Sequence, residues 1–371
     1  MTNADKTRIE WVDVFRFFGI WAIYVGHFGT AAGKAFPFVF TYHVPMFFFA
    51  AGFFSSRYSR ETPFNFIKKK TLQLMVPYAV FSIIALIVFT IQNNWGVAEA
   101  RDAAMSFVFG IRNQVLAGSL WFLPCLYLVI IIDYFVLKVF KLPVFSLAVS
   151  IGTFIATLTL LPNNPAQDPS WFLNLDSALF YYIYYSLGRI FFPLLHSERT
   201  SLKSRLLESP LIVATFAMTA IIYLTGSDWL FHKIVLQFPA IPAFGLPYEV
   251  FNVLMALILI YFNVLAAKLF ARVLFFGELG RETLAFCGTE DVTKSILTQL
   301  LEMLRLKVDL INPFITIAFS LICLVVSKHT LIKFFNTHFP QAVGKLRPAD
   351  EKTQAAGGQQ RQNRTEPAEI N

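Results

Sequence analysis

Charge is what this chain has least of. Asp, Glu, Lys and Arg make up 15% of its 371 residues, against about a quarter in an ordinary soluble domain. That shortage excludes a water-facing surface over most of the molecule. Cysteine is equally scarce: Cys125, Cys287 and Cys323 are the only three, with no C-x-x-C spacing. A disulfide framework and a zinc site are thereby disfavoured, and the three thiols, lying in or beside apolar segments, read as buried packing groups. The polar start, MTNADKTRIEW, leads into an apolar block of spanning length. A cleavable signal peptide, with its short apolar region and small-residue cleavage site, is therefore not expected. No internal repeat and no second soluble domain is visible.

Apolar residues fill the space that charge leaves. They reach 56% of the chain and fall in blocks about 20 residues long, the length that carries a helix across a bilayer core. The expected fold class is an all-α polytopic membrane protein with the lipid bilayer as its solvent. Many of the 42 Phe residues are expected to face lipid. Ten spans are expected, at roughly 13–32, 37–54, 71–92, 119–138, 142–162, 177–195, 210–226, 247–267, 282–300 and 310–332. The net charge of +8 raises nucleic acid as a partner. However, Lys and Arg cluster in short loops between apolar blocks, which is the pattern of membrane topology, and no nucleic acid is expected. With the N-terminus inside, the inner loops hold such runs as Arg57, Arg60, Lys68, Lys69 and Lys70, or Lys268, Arg272 and Arg281. The outer loops hold only Lys34, Arg101, Arg112, Lys233, Arg305 and Lys307. Both termini are expected in the cytoplasm. Residues 1–340 form the expected membrane domain, and the polar stretch 341–371 a disordered tail.

Two segments depart from the simple pattern. ETLAFCGTEDVTKSILTQLL, the ninth span, carries Glu290, Asp291 and Lys294, so its polar side must face other helices or a wet cavity. Glu290 and Lys294 stand at i,i+4, the spacing of an ion pair within one helix. The stretch 93–118 is long for a connection between spans and amphipathic in its middle, which suggests an interfacial or re-entrant helix.

The stretch RFFGIWAIYVGHFG, from Arg16 to Gly29, holds the most informative intruders. At 100° per residue, Arg16 and His27 lie about 20° apart around the helix and about 16 Å apart along it. One face therefore carries a fixed cation near the inside and a titratable imidazole near the outside. Asp13, one turn before Arg16, can hold it in an i,i+3 pair. His43, in TYHVPMFFFAAGFF, falls at about the same depth as His27 on the next, antiparallel helix. Two imidazoles at one level suit a general base and its helper. They could also ligate metal, but with no third acidic or thiol ligand in sight no metal is expected. Ala50, Ala51 and Gly52 permit a close helix approach.

These residues carry a resemblance. WVDVFRFFGIWAIYVGHFG resembles the first helix of the acyltransferase-3 family of integral-membrane O-acyltransferases, with Asp13, Arg16 and His27 matching its Asp and its Arg-x10-His. HVPMFFFAAGFF, FIKKKTLQLMVPY and LWFLPCLYL resemble, in order, its next hydrophobic stretch, the basic run entering its third helix, and its Trp-Phe-Leu element. The likeness is carried by the first 130 residues or so; the rest fits in hydropathy only. Two departures stand out. The basic run holds Lys68, Lys69, Lys70 and Gln73 where Arg residues are usual, so charge survives without the guanidinium fork. FCGTEDVTKS stands where many members have a late His.

The resemblance implies a bacterial cytoplasmic-membrane enzyme that moves an acyl group, usually acetyl, from acyl-CoA to a hydroxyl of a carbohydrate, with no permanently bound cofactor. Under it, His27 is the expected general base, or forms an acyl-histidine, and His43 orients His27 or binds the acceptor. Arg16 is expected to hold the donor's anionic part or to orient its thioester arm, and Lys68, Lys69 and Lys70 to attract the CoA phosphates, the lysines serving equally well as topology signals. Tyr42, Trp121 and Tyr78 are candidate contacts for sugar or acyl groups, although aromatic residues near an interface more often pack. A transporter or permease with an intramembrane Arg/His pathway is the rival reading.

Overall fold

A computed structural model describes residues 8–55, 61–197, 210–235, 245–306, 308 and 310–345. Among them there are helices and turns and no strand. The helices are α1 (Glu10–Gly26), α2 (Ala35–Phe40), α3 (His43–Gly52), α4 (Pro63–Lys70), α5 (Val76–Gln92), α6 (Val97–Phe109), α7 (Phe122–Phe140) and α8 (Pro143–Leu160). They continue with α9 (Leu175–Ser197), α10 (Pro210–Thr225), α11 (Ser227–Ile234), α12 (Leu246–Leu269), α13 (Leu274–Gly280), α14 (Thr283–Met303), α15 (Pro313–Ser327) and α16 (Lys333–His338). Each of the ten expected apolar stretches is helical. Among the described residues seven helices are long and apolar enough to cross a membrane, or eight if α10 and α11, bent by 100° at Gly226, form one span. The remaining two expected spans are α1, 17 residues long, and α14, which carries the acidic and basic residues noted above.

Prolines open several helices, where a missing N–H costs nothing: Pro63 in α4, Pro143 in α8 and Pro313 in α15. The link between α7 and α8 is tight because Lys141 adopts the left-handed region, φ 59°, which ends a helix and turns the chain back. α1 is the hub. It packs against α2, α3, α12, α13, α14 and α15, and its apolar residues from Trp11 to Val25 are almost all buried. A second group, α7, α8 and α9, joins the first through the α3–α9 contact. There Gly52 and Gly188 let two backbones touch: a methyl group on Gly52 would run into the backbone of Tyr185, and one on Gly188 into that of Phe49. The close approach expected from Ala50, Ala51 and Gly52 is thus made by Gly52, against α9.

Phe residues do not simply coat the lipid face. Phe64, Phe145 and Phe314 are exposed, whereas Phe15, Phe17, Phe48, Phe66, Phe81 and Phe286 are fully buried. Stacks such as Phe17 on Phe276, with centroids 4.7 Å apart, use flat rings to fill space between helices. The three cysteines are buried free thiols.

Ion pairs draw both described ends of the chain to one end of the bundle. Arg8 and Arg281 meet Asp13 at 2.6 and 3.5 Å. Next to Arg281, Glu282 accepts from Lys345 at 3.1 Å. The packed part runs past the expected boundary at 340, since Ala342 and Val343 are buried against α5 and the π-helical turn Thr71–Met75. Residues 346–371, most of the expected tail, lie outside the described residues, as do Lys6, Arg57, Arg60 and Lys307.

A buried polar cluster ties α7, α8 and α9 together. The Asp133 carboxylate accepts from Ser146 at 2.7 Å, Tyr182 at 2.9 Å and the Arg189 guanidinium. Arg189 also reaches Ser55 beyond α3 at 2.5 Å. A buried carboxylate and guanidinium persist only because each is met by the other and by further hydrogen bonds.

The backbone contact between α3 and α9 makes a signed prediction. Gly188→Leu is expected to cost about 1–3 kcal/mol or more by overpacking. Gly152→Ala, in α8 with open space around it, is expected to stabilise by about 0.5–1 kcal/mol. Unfolding midpoints of the purified variants in detergent check both.

Candidate functional site

The site grows from the end of α1. His27 closes that helix, its backbone N–H donating to Ile23 at 3.0 Å, and Gly29 then turns the chain with φ +59°. The His27 ring is thus fixed at a helix terminus instead of on a loop. Its Nδ1 lies 2.7 Å from Oε1 of Glu290 on α14. Glu290 has 0% exposure and His27 retains 20% of its side-chain surface. The other oxygen of Glu290 accepts from the Ser119 hydroxyl. One step along α14, Asp291 accepts from the Gly118 N–H at 2.6 Å and pairs with Lys294 at 3.0 Å. Lys294 also reaches the His27 carbonyl at 3.4 Å and lies 5.6 Å over the Phe28 ring. α1, α14 and the 110–121 loop are therefore pinned at one point by alternating acids and donors.

This arrangement corrects one expectation. Glu290 pairs with His27, not with Lys294, and Lys294 takes Asp291 at i,i+3. An i,i+4 spacing states which groups share a helix face; it does not state which neighbour from another helix competes for them. The requirement that α14 turn its polar side inward is met by His27 and the loop.

The loop that supplies Gly118 and Ser119 is itself held. The fully buried Asn174 accepts the Arg112 N–H at 2.8 Å and donates to the Gly110 carbonyl. Arg112 donates to Ala166 at 2.6 Å and to the Tyr181 hydroxyl at 3.3 Å, and its guanidinium lies 5.0 Å over the Trp121 ring. The expected interfacial or re-entrant stretch 93–118 thus resolves into α6, largely exposed, and a loop that folds back to build one wall of the site.

A cavity of about 780 Å³ opens beside His27, within the usual size of a ligand site. Its walls include His27, His43, Arg112, Trp121, Tyr181, Glu249 and Asn252. His43 is 3% exposed, and its Nδ1–H donates to the Val39 carbonyl at 2.8 Å. The two histidines share the cavity, but each ring has its own partner and neither bonds the other. Trp121 belongs to the same cavity. Tyr42 is buried and lines a different, smaller one. Tyr78 donates to the Phe107 carbonyl at 2.5 Å, tying α5 to α6.

The residues expected to meet a donor lie apart from this cavity. Arg16, half-buried, lies 6.0 Å over the Phe54 ring, about 16 Å along α1 from His27. Asp13, its neighbour, is taken by Arg8 and Arg281. Lys69 pairs with Glu61 at 2.9 Å, Lys70 is buried with its ammonium 3.1 Å from Gln73, and Lys68 is exposed. Among the described residues no group of three His, Cys, Asp or Glu side chains is placed to hold a metal ion.

Sequence reasoning missed Ser119 and Arg112 as parts of the site, and the Asp133–Arg189 cluster altogether. For the cluster a signal existed: Asp133 in LVIIIDYFVL and Arg189 in YYSLGRIFF are charged intruders in apolar runs, as Arg16 is in its own. Ser119 carries no comparable mark.

Chemically, a carboxylate that accepts from Nδ1 fixes the imidazole so that Nε2 bears the lone pair, the preparation of a general base. Comparison with known proteins gives the class of enzyme. The family model described as an acyltransferase domain matches residues 9–289, stopping one residue short of Glu290. No curated protein and no solved structure matches the chain. The matched span covers most of the chain and contains Arg16, His27, His43 and the loop around Ser119, and the chain belongs to the acyltransferase-3 family of membrane O-acyltransferases.

Proposed function

We propose that this enzyme moves an acyl group, acetyl first among candidates, from acyl-CoA to a hydroxyl of a carbohydrate such as a surface polysaccharide or cell-envelope glycan. The observation that carries the reading is the 2.7 Å contact between His27 Nδ1 and the buried carboxylate of Glu290, at the edge of a cavity walled by polar and aromatic side chains. Trp121 and Tyr181 offer ring faces, and Glu249 and Asn252 offer hydrogen-bonding groups, the mixture that suits a sugar ring.

In the proposed reaction the acceptor hydroxyl gives its proton to Nε2 of His27 as its oxygen attacks the thioester carbonyl carbon. A C–O bond forms, the tetrahedral intermediate collapses, and the C–S bond breaks. The leaving CoA thiolate takes the proton back from the imidazolium. Glu290 holds the ring in the required tautomer and balances the imidazolium charge while it exists. Ser119 fixes the second carboxylate oxygen. His43, with Nδ1 committed to Val39, presents Nε2 as an acceptor for another acceptor hydroxyl.

The donor enters, in this reading, from the Arg16 end. Arg16 and the exposed Lys68 meet the anionic part of acyl-CoA, while Lys69 and Lys70, paired and buried, add positive potential. The extended pantetheine arm then brings the thioester to His27, which requires the side chains packed on α1 between Arg16 and His27, Ile20 and Ile23 among them, to part for it. Both termini are placed in the cytoplasm of a bacterial cell with His27 toward the outside; the meeting of the two described ends at one end of the bundle supports the shared side.

Mass analysis of surface glycans from cells making the wild type or His27→Ala tests the reading. The wild type is expected to add the mass of an acyl group, and His27→Ala to lose it by about 10²–10⁴ in rate while still inserting in the membrane. Acylation that persists in His27→Ala contradicts the assignment. Glu290→Gln keeps shape and removes charge; a kcat about 10²-fold lower or less is expected with little change in KM for either substrate. Arg16→Lys keeps charge and loses the planar fork. Its KM for acyl-CoA is expected to rise about tenfold, and a wild-type KM argues against a donor role.

A further inference from the structure

Among the described residues five carboxyl side chains are buried: Asp13, Asp133, Asp176, Glu249 and Glu290. The fold answers the charge of four. Asp13 meets Arg8 and Arg281, Asp133 meets Arg189 and two hydroxyls, and Glu290 meets His27 and Ser119. Asp176 accepts three backbone N–H groups, from Ser170, Trp171 and Ser177. Glu249, 4% exposed, is the exception. Asn164 donates to one of its oxygens at 2.6 Å. Asn252 stands 3.5 Å from the other, beyond the usual length of a hydrogen bond. Both are neutral amides, and among the described residues no cation pairs with Glu249. A carboxylate has about four acceptor positions, so most of this one is unused.

Glu249 is also the only one of the five that lines the His27 cavity, where the first turn of α12 places it. Tyr248, the residue before it, donates to Asp228 of α11 at 2.5 Å, and Asp228 lines the same cavity. The cations bordering the cavity are engaged elsewhere. Arg112 donates to Ala166, Pro165 and Tyr181, and Lys34 to the Leu224 carbonyl at 3.3 Å. A buried carboxylate without a cation is costly, and a ligand that brings the cation removes that cost.

We propose that Glu249 binds an ammonium group on the acceptor, so that the enzyme selects a carbohydrate with a free amine over its neutral counterpart. This rests on the carbohydrate-acceptor reading above and narrows it to amino sugars. The ammonium N–H groups take the acceptor positions that Asn164 leaves open, and Asp228 adds to the negative potential around them. The same contact decides which atom is acylated. A carboxylate beside an amine favours its protonated form, whose nitrogen has no lone pair with which to attack a thioester. The amine is thereby an anchor, and a hydroxyl of the same acceptor is left to give its proton to His27. A neutral diol can also hydrogen-bond to Glu249, but it leaves the buried charge unbalanced.

The test uses the full-length enzyme in phosphatidylcholine nanodiscs, which carry no net charge. The probes are cellobiose and the disaccharide of glucosamine with the same linkage. They differ only in hydroxyl against ammonium at the second carbon of each ring. Binding is measured first, without a donor, below neutral pH. The wild type is expected to bind the amino disaccharide at least about tenfold more tightly. Glu249→Gln keeps an oxygen for Asn164 and removes the charge; it is expected to bring the two affinities within about twofold. Asp102→Asn, exposed on α6, is expected to leave the preference unchanged. Equal binding of the two by the wild type, binding of neither at millimolar concentration, or an undiminished preference in Glu249→Gln overturns the proposal. So does an equal loss of preference in Asp102→Asn, which marks general attraction of a cation to the surface. The wild-type comparison decides even if Glu249→Gln fails to fold. Acetyl-CoA is then added. Higher kcat/KM for the amino disaccharide, with ester and not amide as the product, supports the anchor; amide as the main product overturns it. Tight, Glu249-dependent binding with no acyl transfer to either probe supports the ammonium site and removes instead the acyl-transfer reading.

Discussion

A carboxylate with no access to water must have its charge answered by donors, and Glu290 is such a carboxylate. His27 answers one oxygen and Ser119 the other. Much of the fold serves this arrangement. α1 has to end at His27 so that the ring is aimed sideways. α14 has to carry acidic residues into an apolar bundle. The 110–121 loop has to fold back and bring a hydroxyl and an N–H to the same place. Breaking one partner would leave a buried charge unpaired, which is far more costly than losing an exposed pair. The interaction is therefore a constraint on folding and, in the proposed reaction, the means of setting a tautomer.

Around that point the polar groups of α1 are kept apart by distance. Arg16 and His27 stand on one face of α1 at opposite ends, and the helix between them is buried on nearly every side. In the proposed reaction, a cationic region and a base at the two ends of a packed helix suit two substrates that arrive separately. The Asp133–Arg189 cluster plays a different part. It lies on the α7–α8–α9 side, shares no residue with the His27 cavity, and secures the helices that back α3. Its buried ions are stabilised by each other and by Ser146, Tyr182 and Ser55, much as Glu290 is by His27 and Ser119.

The positions of the helices were legible because hydropathy over about 20 residues is a strong signal. Arg16 and His27 were legible because a polar group in an apolar run is costly and must be accounted for. Asp133 and Arg189 give the same signal, but no neighbouring motif attaches a role to them. Glu290 drew notice, but spacing along one helix pointed to Lys294, and only the packing of α1 against α14 pairs it with His27. His43 was expected near His27, and the two line one cavity, yet its bond to Val39 depends on how α2 meets α3, which no periodicity describes. Tyr42 and Trp121 looked alike in sequence. The break between α2 and α3 puts them in different cavities.

The central claim is that Glu290 holds His27 with its proton on Nδ1 and its lone pair on Nε2. Imidazole ¹⁵N chemical shifts of His-labelled enzyme in bilayers, with the His27 signals assigned by their loss in His27→Asn, test it most directly. The account predicts a protonated Nδ1 and a bare Nε2 in the resting enzyme, with this preference weakened in Glu290→Gln. A resting His27 protonated on Nε2 and bare on Nδ1, or shifts indifferent to Glu290→Gln, would contradict it.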